Sequence, residues 1–289
     1  MRSVGFRYVT SKRELEEVLK DVAETGEAHK VISVNNEGEN VVEIKKYFAP
    51  KMGVVVHGYY NENNEFVREY YFPFIEGSSR LKKADVTINR HMGKTSFAGS
   101  CDDLQMGLTT IFYLQNGMDF IEHLLSKGRS IVRAPLSLVG LSNSGTIILP
   151  ISKSKSQIKL QNMASKLHRK WINDAKQGDE AAIENLTMED YDLYSQALKK
   201  VQKEDLFTVV DSTFMPYGVE CDHYMIIGEI ASVDKLKNNI SGETVYYITV
   251  NCNEIEISIA INDSDLTGEP MVGRRYRGSI WLQGIVDFG

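Results

Sequence analysis

The sequence lacks several features that would assign the protein to a secreted or membrane class. Its only three cysteines, Cys101, Cys221 and Cys252, are widely spaced in 289 residues, which excludes a disulfide scaffold and favours a reducing cytoplasm. No apolar run approaches the roughly 20 residues that cross a bilayer, and the first residues lack the apolar core of a secretory signal. We therefore expect a cytoplasmic protein without membrane association.

Neither sign of charge is in large excess. The formal net charge is −6 and the sequence pI is about 5.6. This mild acidity argues against a protein that coats nucleic acid with its whole surface, but it leaves local basic patches open.

Two motifs that resemble catalytic loops are incomplete. Gly93-Lys94-Thr95 resembles the end of a phosphate loop, but Ile88 stands where that loop needs its first glycine. The segment Gly140-Leu-Ser-Asn-Ser144 fails as a nucleophile elbow because its fifth residue is not glycine. Neither motif supports a nucleotide site or a serine nucleophile.

The cysteines do not form a recognisable site either. Cys101 is followed by Asp102 and Asp103, whose negative charges disfavour a thiolate. Cys221 and His223 have the spacing of a metal pair, but the four ligands of a structural zinc site are not apparent. We predict no catalytic residue, no metal and no cofactor.

Residues 1–150 are predicted to form one α+β unit with an antiparallel sheet. A helix is expected over residues 11–25, since Ser11 and Glu14 have capping-box spacing and an apolar stripe follows them. Turn-forming linkers separate the next β-rich runs, which favours a meander. The expected strands are 30–34, 41–48, 53–60, 66–72, 86–89, 108–114 and 130–149, the last broken near Ser142–Gly145, with a short helix at 119–125.

Residues 151–203 are predicted to be a helical hairpin that turns at Gly178-Asp179. Residues 153–177 hold seven bases and one acid, whereas 178–192 hold six acids and no base. Two interpretations stay open: the helices pair their charges, which we favour, or the first helix offers a basic face to nucleic acid or an acidic partner.

After a linker at 204–221, residues 222–289 are predicted to be an OB-like β-barrel. Apolar and polar residues alternate from Ile255 to Ile261, as in a half-buried strand. Several short strands within fewer than 70 residues are typical of small barrels in which glycines mark bends.

The final strand carries the candidate binding residues. Even positions hold Tyr276, Ile280, Leu282, Val286 and Phe288, and odd positions hold Arg275, Arg277, Ser279, Trp281, Gln283 and Asp287. Period-two alternation places the first set in the core and the second outside. OB barrels bind oligonucleotides through such aromatic and basic faces. The predicted binding residues are Arg275, Tyr276, Arg277, Trp281 and Gln283.

The same face also fits an interface within the protein. Arg275 and Arg277 could pair with Glu254 and Glu256 on a neighbouring strand, while another domain or a second subunit covers Trp281. Residues 222–289 hold five bases against ten acids, which favours this interpretation over nucleic-acid binding.

Four motifs together resemble a known family. They are Ser3-Val-Gly-Phe-Arg-Tyr8, Cys221-Asp-His-Tyr-Met-Ile-Ile-Gly-Glu229, Val250-Asn-Cys-Asn-Glu254, and the run from Gly268 to Gly284. The chain is similar over its whole length to a domain-of-unknown-function family of clostridial-type bacteria. The resemblance implies a bacterial cytoplasmic setting and brings no activity or ligand.

The function expected from the sequence is therefore binding or assembly without catalysis. The barrel and the hairpin would contact a protein partner or a second copy of the chain. One alternative is an enzyme with its site around Arg90 to Asp103, where a pocket would join His91, Lys94 and Asp102 or Asp103. Another is a nucleic-acid-binding OB module.

Overall fold

The structure is a computed structural model of mixed α+β character, built mostly of strands. It describes residues 1–33, 40–77, 81–90, 96–103, 108–150, 167, 170–171, 174–175, 178–188, 212–253 and 255–289. Most of the predicted hairpin lies outside the described residues, as do His91 and Lys94.

The N-terminal part forms a four-stranded antiparallel sheet behind one helix, as predicted. The strands follow one another in the order β1-β2-β3-β4. The elements are α1 (Lys12–Thr25), β1 (Ala28–Ser33), β2 (Asn40–Ala49), β3 (Met52–Tyr60) and β4 (Phe66–Ile75).

Helix α1 begins and ends for reasons that are visible in the sequence. The Ser11 hydroxyl accepts the Glu14 backbone N–H, and the Glu14 carboxylate accepts the Ser11 backbone N–H, which completes the capping box. Val18, Leu19 and Val22 are buried against the sheet. Gly26 ends the helix where β2 passes closely, since a Cβ there would lie 2.3 Å from Ile44 Cγ2.

A second, larger sheet combines strands from both halves of the chain. Its order is β11-β12-β8-β5-β6-β7-β14-β10-β9, with β13 paired to β8. The elements are β5 (Leu81–Arg90), β6 (Phe97–Asp103), β7 (Leu108–Leu114), α2 (Gly117–Lys127), β8 (Ile131–Ile148), β9 (Thr213–Pro216), β10 (His223–Lys237), β11 (Thr244–Cys252), β12 (Ile255–Asn262), β13 (Leu266–Thr267) and β14 (Arg275–Val286).

Additional pairings fold this sheet back on itself. Strand β8 pairs with both β12 and β14, and β10 pairs with both β14 and β11. Together with the β11–β12 pair, these contacts form a closed circuit of five strands. One of the five, β8, precedes the predicted hairpin, so residues 222–289 do not complete the circuit alone.

The predicted break in residues 130–149 is wrong. Strand β8 runs without interruption from Ile131 to Ile148. Opposite β14, Ser279 faces Ser144 and Ile280 faces Ser142, so Asn143 is one extra residue in β8. Turn-forming residues here mark a β-bulge rather than the end of a strand.

The described part of residues 151–203 confirms the expected break at Gly178-Asp179. Gly178 has φ +87°, a left-handed conformation that suits glycine. The Asp179 carboxylate then accepts the backbone N–H groups of Ala181 (3.0 Å) and Ala182 (3.3 Å) at the start of a helix over 180–188. The predicted charge pairing between the two helices lies outside the described residues.

Candidate functional site

The predicted alternation of β14 is confirmed on its inner face. Tyr276, Ile280, Leu282 and Val286 are all buried in the main core cluster. The Tyr276 hydroxyl donates to Ser142 Oγ at 2.7 Å. Tyr276 is therefore a core residue of the larger sheet.

Two predicted binding residues on the opposite face are buried as well, which corrects the expected exposure of that face. Arg275 is 5% exposed and donates from Nε to the Leu149 carbonyl at 3.0 Å. Gln283 is 0% exposed and donates from Nε2 to the Pro73 carbonyl at 3.0 Å, while its Oε1 accepts Gln115 Nε2 at 2.7 Å. Strand β4 of the first sheet lies over Gln283, and the sequence pattern of β14 could not reveal this cover.

Of the two acidic partners expected for Arg275 and Arg277, Glu254 lies outside the described residues, and Glu256 does not lie on a strand next to β14. Strand β14 lies next to β7, β8 and β10, whereas Glu256 belongs to β12. Arg275 lies opposite Glu229 of β10, and the half-buried Arg277 lies opposite Thr146 of β8.

Trp281 is half-buried in an aromatic contact between the two sheets. Its Nε1 donates to Asp222 Oδ2 at 2.7 Å, and its ring centroid lies 5.2 Å from that of Tyr113. Phe72 and Phe74 of the first sheet pack in the same cluster. The sequence left three covers open for Trp281, namely the N-terminal domain, the hairpin or a second subunit. The structure shows contact with the N-terminal sheet, and the indole remains half-buried.

The segment Arg90 to Asp103 contains a strand that the sequence pattern does not predict. Residues 97–103 form β6, which pairs with β5 and β7. Asp102 on this strand accepts the Thr109 hydroxyl at 2.6 Å, and Cys101 is buried.

The other two cysteines differ in exposure. Cys221 is exposed, whereas Cys252 is buried with its Sγ 3.3 Å from the Thr213 carbonyl. Burial raises the pKa of Cys252 to about 12, which keeps it a thiol at neutral pH. No cluster of three or more metal-ligating side chains occurs among the residues that the structure describes.

An open groove of about 670 Å³ lies between the end of α2, the start of β8 and the residues after β14. This volume falls within the range of about 300–1,000 Å³ typical of small-molecule sites. The lining residues are His123, Lys127, Arg129, Ile131, Val132, Arg133, Ala134, Pro135, Asp287, Phe288 and Gly289.

Hydrogen bonds fix the three segments that form the groove. The Asn116 side chain, at the start of α2, donates to the Val286 carbonyl at 2.7 Å and accepts the Val286 N–H at 3.1 Å. The Asp287 N–H donates to the Pro135 carbonyl at 2.9 Å, which joins the end of β14 to β8. Gly128 ends α2 with φ +65° and lets the chain turn into β8.

The groove carries an excess of positive charge. Lys127 and Arg129 are both exposed at the groove. Arg133 lies 3.7 Å from Asp85, and both side chains are exposed, so this pair is weak. Three cationic side chains against Asp287 give the lining side chains a net charge of +2. An anion would therefore be attracted into the groove.

His123 forms one wall of the groove. Its ring centroid lies 5.1 Å from the Phe288 ring. Burial, followed by the charges of Lys127 and Arg129, lowers the pKa of His123. The imidazole is therefore neutral at neutral pH and adds a flat, polar surface without further charge.

This groove was not predicted from the sequence. Lys127, Arg129 and Arg133 lie close together in the sequence, and this cluster is the signal that could have indicated a basic site. The wall formed by Asp287 and Phe288 comes from the far end of the chain and could not be placed without the fold.

The structure is a mixed α+β protein with an open groove lined by three cationic side chains, Lys127, Arg129 and Arg133. The chain belongs to the family described as "Domain of unknown function, E. rectale Gene description (DUF3881)", whose model matches residues 1–284. This confirms the family resemblance seen in the sequence. No curated protein and no solved structure matches the chain. In the part of the chain that the structure describes, no helix is long and apolar enough to cross a membrane.

Proposed function

We propose that the protein is a non-enzymatic binding protein and that it holds a small anion in the groove between α2, β8 and the end of β14. The observation that carries the proposal is the convergence of Lys127, Arg129 and Arg133 on one concave surface with a single opposing acidic side chain, Asp287. Clusters of like charge are costly to place together, and a bound anion would relieve their repulsion.

The groove lies beside the end of β14, in the segment predicted to be an OB-like barrel, and beside the start of β8, which the sequence placed in the N-terminal unit. We propose that β8, β10, β11, β12 and β14 form an OB-like barrel, and the closed circuit of their pairings supports this. Binding would then occur at one end of the barrel beside α2, rather than across Arg275, Trp281 and Gln283.

A role in assembly through the helical hairpin stays a prediction, because most of the hairpin lies outside the described residues. The same holds for the enzyme alternative, since His91 and Lys94 are not described. The cover over Trp281 supports binding at the groove over nucleic-acid stacking on β14.

Titration with inorganic phosphate at fixed ionic strength tests the proposal. We expect wild-type protein to bind phosphate, and Lys127→Gln/Arg129→Gln to lose most of that binding. The control Arg13→Gln/Lys20→Gln removes the same two charges from α1, where the side chains are 85% and 74% exposed. Equal binding by all three proteins, or no binding by any, would refute a specific anion site in the groove.

A further inference from the structure

The geometry points to a phosphomonoester with a flat apolar body as the ligand of the groove. This inference rests on the proposed function and narrows it from any small anion to one chemical class. The phosphate would bind at the cationic rim, formed by Lys127, Arg129 and Arg133, and the organic body would lie against the wall around Phe288.

The charge of the rim suits a phosphomonoester. Such a group carries about −1.5 to −2 charges at neutral pH, which matches the net +2 of the lining side chains. Arg129 and Arg133 offer planar donor pairs that fit phosphate oxygens, and Lys127 adds a mobile point charge. Neutral His123 can share a further hydrogen bond with the ligand.

The size and lining of the groove favour a ligand larger than a phosphate ion. A single phosphate group would fill only a small part of the groove's volume of about 670 Å³. Ile131 is 67% exposed, and Phe288 and Pro135 remain half-buried beside it. An organic body would cover this apolar surface, which inorganic phosphate cannot do.

The wall next to Lys127 and Arg129 carries two rings, those of His123 and Phe288, whose centroids lie 5.1 Å apart with the planes tilted by 35°. The Phe288 ring also contacts the buried Phe120, at 5.9 Å between centroids. Rings prefer offset or edge contacts over such surfaces. The favoured body is therefore a ring system rather than a flexible chain.

Calorimetric titrations with three probes test the inference: 2-naphthyl phosphate, inorganic phosphate and the uncharged 2-naphthol. We expect 2-naphthyl phosphate to bind wild-type protein at least tenfold more tightly than inorganic phosphate, and 2-naphthol not to bind. Lys127→Gln/Arg129→Gln should bind neither 2-naphthyl phosphate nor inorganic phosphate. Phe288→Ala should still bind inorganic phosphate, but it should bind 2-naphthyl phosphate no more tightly than inorganic phosphate.

A second variant separates a loss of binding from a loss of folding. Ile131→Ser changes a side chain that is 67% exposed and should fold normally; it is expected to reduce the gain from the naphthyl group several-fold. If inorganic phosphate binds at the groove but the naphthyl ester binds no more tightly, the inference fails while the proposed function stands. Binding of 2-naphthol as tight as that of its phosphate would also overturn the inference. If neither phosphate binds, the proposed function itself fails.

Discussion

At the residue scale, two buried amides join the two sheets. Gln115 Nε2 donates to both the Ile75 carbonyl (3.0 Å) and Gln283 Oε1 (2.7 Å), and Gln283 in turn donates to the Pro73 carbonyl. Each group satisfies a polar partner that water cannot reach. Removing one member therefore leaves the other partners without hydrogen bonds.

Gln283→Leu should lower the free energy of unfolding by about 1–3 kcal/mol, because buried carbonyl and amide groups lose their partner. Urea denaturation measures the change. The double variant Gln115→Leu/Gln283→Leu should cost less than the sum of the two single variants, since it removes both interacting side chains together. Strict additivity would show that the two amides do not act as a pair.

The Trp281 indole is expected to stabilise the contact between the sheets. Trp281→Ala should lower the free energy of unfolding by roughly 2 kcal/mol, whereas Trp281→Phe should cost about 1 kcal/mol through the lost hydrogen bond to Asp222. Tyr217→Ala, at an exposed aromatic side chain, is the control and should change stability by no more than about 0.5 kcal/mol. Equal effects of the Ala variants would contradict the assigned contact.

The faces of β14 show what the sequence can predict at this scale. Alternation assigned Tyr276 and Leu282 to the core correctly, since side-chain direction follows from the local strand geometry. Alternation could not predict that Gln283 is buried, because its cover comes from Pro73, 210 positions away.

At the element scale, local chemistry explains α1 well. The capping box predicted from Ser11 and Glu14 is present, and the helix begins at Lys12, directly after Ser11. Strand β8 shows the opposite case. The sequence Ser142-Asn-Ser-Gly145 has turn composition, but pairing with β14 holds it in a strand with a bulge. Tertiary pairing overrode local propensity there.

The cap makes α1 sensitive to acid. Hydrogen bonds from the backbone of Ser11 and then Thr10 lower the pKa of Glu14 to about 2. Because the folded pKa lies below the usual value of 4.5, the stabilisation is complete above that value and is lost as the pH falls towards 2.

Glu14→Gln should therefore lower Tm above pH 5, and this difference from wild type should shrink steadily as the pH falls towards 2. Thermal melts between pH 2 and 7 measure it. Glu17→Gln on the same helix is the matched control. It should lower Tm less, because the Glu17 ion pair with Arg13 is long, at 3.7 Å, and exposed. A constant difference across the whole range would contradict the role of the Glu14 carboxylate.

At the scale of the whole molecule, β8 links the two halves of the chain. It pairs with β5 of the N-terminal half and with β12 and β14 of the C-terminal half. The predicted domain limits of 1–150, 151–203, 204–221 and 222–289 stay predictions. The sequence could predict strands, but not which distant strands pair, because backbone pairing carries little sequence information.

A fragment of residues 222–289 should not fold alone, because without β8 the edges of β12 and β14 lack their partner. Circular dichroism and amide exchange would show an unfolded or aggregated fragment. Addition of a peptide of residues 131–148 is expected to restore protected β-structure. A monomeric, cooperatively folded fragment would contradict this dependence and support an independent barrel.

The groove is also a property of the whole molecule, since residues 123–135 and 287–289 meet only in the folded protein. Backbone amide NMR during titration with 2-naphthyl phosphate tests the binding account most directly. We predict saturable shifts concentrated at Lys127 to Ala134 and at Asp287 to Gly289, with little change at Trp281. Shifts centred on Arg277 and Trp281, or no saturable shifts, would contradict the assignment of the groove as the binding site.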